Sequence, residues 1–118
     1  MSIKVVMLKS GEDVIADVKE IYVDDNVVGY QIENPYIVRL WEKETILLQE
    51  ETNQKGKEAN QVLGYDIYFG PWAPLSVDKK FIIPADWVVT IYEPHNDVKK
   101  SYNNKMEEIN ERSSSSIN

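Results

Sequence analysis

His95 is the only histidine in the chain, and there is no cysteine. The side chains best suited to proton transfer and nucleophilic attack near neutral pH are therefore almost absent. His95 follows Pro94 beside a helix start, and no serine, cysteine or carboxylate is spaced to form a relay with it. It reads as an exposed residue at a helix cap and not as a general base. The acidic pairs Glu12-Asp13, Asp24-Asp25 and Glu50-Glu51 fall in expected turns, where carboxylates are usually just solvated. They lack both an EF-hand spacing and a clustered histidine, so no metal is expected. Gly11, Gly29, Gly56, Gly64 and Gly70 stand singly, as turn and bulge residues do, and make no phosphate-cradling loop. No cofactor and no catalysed reaction follow from these residues. The remaining chemistry is stacking. Trp72 and Trp87, with Tyr22, Tyr30, Tyr36, Tyr65, Tyr68 and Tyr92, offer flat faces to bases near Lys79 and Lys80. In a small domain most such rings fill the core or cover subunit contacts, which leaves one or two for a ligand.

The charge balance limits what such faces can bind. Thirteen basic residues against twenty acidic ones make a formal net charge of -7. Residues 95–118 hold four of each sign, so the whole excess lies on residues 1–94. Binding along a phosphate backbone needs a positive field, so any nucleic-acid site on this body must be a small focused patch.

These residues must be positioned by short strands. At 118 residues the chain has room for one domain with one core, and an apolar share of 42% with 28% charged residues is that of an ordinary globular protein. The chain opens directly in a strand pattern with no apolar run long enough for a signal peptide or a membrane span, and a cytoplasmic location is expected. Ile3 to Leu8 and Val14 to Val18, joined by Lys9-Ser10-Gly11-Glu12-Asp13, read as a hairpin. Val14, Ala16 and Val18 share a face, but the next apolar residues, Ile21 and Val23, are one place out of phase, which predicts a bulge or bend near Lys19-Glu20. Asp24-Asp25-Asn26 is the next turn and Val27 to Ile32 the next strand. Asn34-Pro35 predicts a kink or a run along a sheet edge, because proline cannot donate to a ladder, before Tyr36 to Trp41 continues extended. Residues 45–50 and 62–69 read as hairpin arms around a solvated loop at 51–61. Lys80 to Ile83 and Trp87 to Tyr92, joined by the turn Pro84-Ala85-Asp86, read as a tight closing pair. Beyond Pro94 the spacing predicts a helix over 95–112 with Asn96 as N-cap and an apolar stripe of Val98, Tyr102, Met106 and Ile109. Residues 113–118, rich in serine, are expected to be a disordered tail. The pattern predicts an all-β small barrel or sandwich over residues 1–94, with one helix packed on it or on a neighbour.

Two stretches, Leu8-Lys9-Ser10-Gly11-Glu12-Asp13-Val14-Ile15-Ala16-Asp17-Val18 and Phe81-Ile82-Ile83-Pro84-Ala85-Asp86-Trp87-Val88-Val89-Thr90-Ile91-Tyr92, resemble the opening motif and the closing strand-turn-strand of Sm and LSm proteins. With Glu33-Asn34-Pro35, Pro71-Trp72-Ala73-Pro74 and Glu93-Pro94, the chain is similar from residue 3 to about 104 to the Sm-like proteins of marine phages, of cyanophage type. The resemblance implies an SH3-like (Sm-type) barrel with long bent strands. It also implies a homo-oligomeric ring of about five to seven subunits, closed head to tail through strand edges, and the host cytoplasm as its place of action. By the same resemblance the turns after the second strand and before the last one face the pore. Asp25 and Asn26 then stand in the first of these turns and Asp86 in the second, flanked by Tyr22, Tyr30 and Trp87, with Lys79 and Lys80 nearby. Pro84-Ala85-Asp86 replaces the Arg-Gly pair of the usual uridine site, so the resemblance carries the ring further than it carries uridine binding. The expected function is single-stranded RNA or DNA binding in phage nucleic-acid processing, with no membrane partner. The alternative is a protein–protein interaction scaffold with no nucleic acid.

Overall fold

The computed structural model describes residues 2–42, 60–62 and 65–116. Seven strands, β1 (Ile3–Leu8), β2 (Asp13–Val23), β3 (Asn26–Glu42), β4 (Asn60–Val62), β5 (Tyr65–Pro71), β6 (Lys80–Pro84) and β7 (Val88–Tyr92), precede one helix, α1 (Asn96–Ser116). A single 3-10 turn, Ala85–Trp87, separates β6 from β7. Every pairing is antiparallel, in the order β4-β5-β3-β2-β1-β7, and β6 lies beside β3. The sheet curls on itself into a small all-β fold of the SH3-like, Sm-like kind, with the helix on its outer face.

The continuous apolar run of β1 has a direct cause: both faces of this strand are buried. Ile3 and Val5 point outward into a cluster with Ile15, Ile67 and the helix residues Val98 and Tyr102. Val6 and Leu8 point inward into the barrel with Val14, Ala16, Val18, Ile32 and Ile83. Cross-strand partners keep the two sets apart, since Val5 faces Ile15 and Val6 faces Val14. A slip of one residue would exchange the two cores, so the register is strongly specified. Val6, Val14, Ile15 and Ile32 are fully buried, and each such side chain contributes roughly 1.5–3 kcal/mol relative to exposure.

The strand β3 continues through Asn34-Pro35, where the sequence predicts a kink or a sheet edge, by means of a bulge. Ile15 pairs with Tyr36 and Asp17 with Glu33, so β3 spends one extra residue against β2 at this point. Asn34 takes the left-handed conformation, with φ 54°, which asparagine tolerates better than most residues. On its other edge β3 pairs with β6 as far as Glu33 and with β5 from Tyr36 onward. The proline thus sits in a bulge between two partner strands, where no ladder N–H is required. Three elements satisfy the bulge's backbone. The Asn34 N–H donates to the Lys79 carbonyl at 2.8 Å, the Trp72 N–H to the Pro35 carbonyl at 3.2 Å, and the Tyr102 hydroxyl to the Asn34 carbonyl at 2.7 Å.

The apolar phase change after Val18 has a different origin from the bulge predicted at Lys19-Glu20. The inward face of β2 continues regularly as Glu20 and Tyr22, because here the strand extends past the buried inner cluster and that face meets solvent. The irregularities lie on the partner strand: the Asn34-Pro35 bulge, and an extra residue at Val28, between the pairs Ile21–Gly29 and Tyr22–Val27. At Gly29 a Cβ would come within 2.9 Å of the Ile83 carbonyl oxygen, so glycine allows β6 to close on β3. The turn after β2 is the two-residue Asp24-Asp25, both residues left-handed at φ 53° and 67°, while Asn26 already belongs to β3 and pairs with Val23. This is the primed hairpin turn, whose twist matches that of the strands.

Asn60 and Gln61, expected in a loop, belong to β4, which pairs with β5 through Val62 and Tyr65. The expected strand at 45–50 and the loop residues 51–59 lie outside the described residues. In α1 the stripe Val98, Tyr102 and Met106 packs on the outer face. The first helical acceptor is the His95 carbonyl, bonded by the N–H groups of Val98 and Lys99, so His95 and not Asn96 occupies the cap position. The helix continues to Ser116 and takes in the serines expected as a tail. Serine's helix penalty, about 0.5 kcal/mol per residue against alanine, is small enough for an already nucleated helix to absorb.

Candidate nucleic-acid interface

The eight residues singled out from the sequence divide between the two ends of β6. Tyr22 and Tyr30 come together at one mouth of the barrel. Glu20 and Tyr30 are direct cross-strand partners, and Tyr22 lies two residues beyond Glu20 on the same face. The Tyr22 hydroxyl donates to a Glu20 carboxylate oxygen, and this bond with the nearby negative charge raises the Tyr22 pKa above its ordinary value. Asp25 and Asn26 occupy the adjacent hairpin tip, where the Asn26 amide reaches the Asp24 carbonyl at 3.4 Å. Asp86 and Trp87 form the 3-10 turn that follows Pro84, the partner of Gly29, so they reach the same end of β3. Trp87 is 44% exposed, and its carbonyl accepts the Lys9 N–H.

Lys79 and Lys80 lie at the opposite end of β6. Lys80 pairs across from Glu33, and four strand steps, roughly 13 Å, separate it from Pro84. Lys79 and Lys80 therefore do not form one patch with Tyr22 and Tyr30 in the chain. The hairpin end instead gathers the carboxylates Glu20, Asp24, Asp25 and Asp86.

The aromatic residues sort by burial. Trp72 packs against the barrel cluster, edge to face with Phe81 at 5.5 Å, and its indole N–H donates to Glu12 at 3.2 Å. Tyr36 and Phe69 meet Tyr102 edge to face, both at 6.3 Å. These rings are structural, and burial raises the pKa of both Tyr36 and Tyr102. Tyr22 at 57% exposure, Trp87 and the half-buried Tyr30 retain faces open to a ligand.

Residues that the sequence did not single out complete the barrel mouth. A cavity of about 440 Å³ opens there between Tyr22 and Tyr30, floored by Val18 and Ile91 and edged by Lys4, Lys19 and Glu20. The signal for it was present in the phase change after Val18, which marks where the inward face turns polar. A second cavity of about 440 Å³ lies beside the Asn34-Pro35 bulge, between residues 71–79 and the helix residues Met106 and Ile109. Glu93 links the barrel to the helix. Its carboxylate binds Lys4 on β1 and Lys99 on α1, each at 2.5 Å, and the two ammonium groups hold it at a pKa of about 2. His95 is exposed. Among the described residues no group of three or more His, Cys, Asp or Glu is placed to hold a metal ion. Among the same residues no helix is long and apolar enough to cross a membrane.

No protein-family model matches the chain, and no curated protein matches it. The fold and the site geometry are therefore the grounds for a functional reading.

Proposed function

We propose that the chain is a ring-forming Sm-like protein that works by binding, and that single-stranded RNA or DNA is its ligand. The observation that carries this reading is the pair of one-sided strands at the barrel seam. Among the described residues β6 pairs only with β3 and β7 only with β1. Each leaves a row of backbone donors and acceptors without a strand partner. Ile82 on β6 is 71% exposed and Val89 on β7 is 58% exposed, so both edges are apolar as well as unpaired. Lys80 and Pro84 guard only the ends of β6, and the stretch between them, like all of β7, carries neither the charge nor the proline that usually protects an edge. Pairing β6 of one subunit with β7 of the next satisfies both edges, and a head-to-tail contact of this kind forms a ring when its rotation closes. Repetition around the ring supplies what one subunit lacks, a circle of Tyr22, Tyr30 and Trp87 faces on which successive bases stack.

A second reading, a protein-binding scaffold without nucleic acid, is favoured by the acidic residues Asp24, Asp25 and Asp86 at the hairpin end. Binding of a labelled single-stranded oligonucleotide to the assembled protein separates the two. The first reading expects binding that weakens as salt rises and falls on Tyr30→Ala or Asp25→Ala. Absence of binding to any oligonucleotide at low salt removes it and leaves the scaffold.

A further inference from the structure

We infer that the barrel-mouth cavity between Tyr22 and Tyr30 is a pocket for a single guanine base, read by the Glu20 carboxylate. The inference rests on the nucleic-acid reading above and gives that reading a base preference. Three kinds of group meet in this cavity of about 440 Å³, a size within the range of about 300–1,000 Å³ usual for small-ligand pockets. Tyr22 and Tyr30 supply aromatic faces, Val18 and Ile91 an apolar floor, and Glu20 a carboxylate placed directly across the strand pair from Tyr30. Lys4 and Lys19 stand at the edge.

The donor set decides the ligand. An ionised carboxylate only accepts hydrogen bonds, and it accepts best from two parallel donors. Guanine is the one common base whose Watson–Crick edge presents two adjacent donors, the N1–H and the N2 amino group. Adenine offers one amino donor beside the N1 lone pair, which a carboxylate repels, and uracil offers a single N3–H between two carbonyl oxygens. The Tyr22 hydroxyl donates to one Glu20 oxygen and so orients the carboxylate. Each carboxylate oxygen has two lone-pair sites, so this bond leaves the fork able to accept. Unstacked bases in single strands are recognised in this way, held on aromatic faces and read along an edge.

Lys4 favours a nucleotide over the other ligand with a matching fork, an arginine side chain. A guanidinium would suit Glu20 and the tyrosine faces, but the Lys4 ammonium, on a residue lining the same cavity, opposes a second cation there. A nucleotide brings a phosphate to the same place, where Lys4, shared with Glu93, supplies positive charge.

The test uses the full chain and heptauridylate oligonucleotides with one central guanosine, inosine or adenosine, read by fluorescence anisotropy. Inosine keeps the N1–H and lacks the N2 amino group. The guanosine oligonucleotide is expected to bind about tenfold more tightly than the other two, the discrimination of one bidentate pair. Glu20→Gln is expected to remove that preference, with circular dichroism confirming the fold. The comparison of guanosine with inosine needs no variant and stands if Glu20→Gln fails to fold. Equal affinity for all three overturns the guanine pocket and leaves general single-strand binding intact. No binding to any of them overturns both. Binding of an arginine-rich peptide in place of every oligonucleotide, lost in Glu20→Gln, assigns the pocket to a protein partner and overturns the proposal.

Discussion

The Tyr102 hydroxyl donates a 2.7 Å hydrogen bond to the Asn34 carbonyl, tying α1 to the bulge in β3 across 68 positions of sequence. Tyr102 is 2% exposed and packs edge to face against Tyr36 and Phe69. One residue therefore both buries the outer face of the sheet and satisfies a carbonyl that the strand ladder leaves unpaired. This contact gives the helix its definite seat, because its apolar stripe is narrow.

Tyr102→Phe keeps the ring and removes the donor, leaving the Asn34 carbonyl without that partner. The expected cost is about 1–2 kcal/mol in urea unfolding. Tyr102→Ala also empties the space beneath the helix and is expected to cost about 3–5 kcal/mol. Equal stability of Tyr102→Phe and the parent chain would show that the bond contributes nothing.

Gly29→Ala tests the close approach of β3 and β6. The added methyl meets the Ile83 carbonyl oxygen at 2.9 Å, and both atoms belong to or hang directly from backbone, so neither can swing away. A destabilisation of about 1–3 kcal/mol is expected, visible as a lower urea midpoint. A midpoint equal to that of the parent would mean the strands separate at no cost.

Acid should loosen the attachment of the helix to β1. The Glu93 carboxylate is held at about 2 by Lys4 and Lys99, below its ordinary 4.5. Because the folded value is the lower one, the stabilisation is complete above pH 4.5 and is lost as the pH falls toward 2. The pair is exposed, so the effect is modest and weakens in added salt. Thermal melts from pH 6 to about 2 should show a smaller acid-induced fall for Glu93→Gln than for the parent, and identical slopes would dismiss the clamp.

Assembly should depend on the two open edges. Ile82→Lys and Val89→Lys place charges where a neighbour would pair, at positions whose side chains already face solvent within one subunit. Light scattering is expected to give about five to seven subunits for the parent and lower masses for the variants, with circular dichroism unchanged. A parent mass of 13.7 kDa at micromolar concentration rejects the ring.

The local rules of the chain are legible without a structure. Alternation in β2, the turn chemistry of Asp24-Asp25, the glycine turn before Asp13 and the stripe Val98-Tyr102-Met106 each depend on residues close in sequence. Strand, turn and helix types follow from them. The phase change after Val18 was visible too, but its meaning was not. It depends on where the barrel ends, and that is set by β6 and β7, some sixty residues further on.

The sequence by itself pointed to an acidic all-β chain of antiparallel hairpins followed by a helix, because backbone propensity and apolar periodicity act over a few residues. Only the tertiary structure decided that β1 serves two cores, that Pro35 lies in a bulge and not at a break, and that Glu20 joins Tyr22 and Tyr30 while Lys79 and Lys80 sit apart. Those outcomes rest on cross-strand register and on which edge meets which neighbour. Both are settled by burying two opposite faces of one curled sheet at once, a condition that no short stretch of sequence contains.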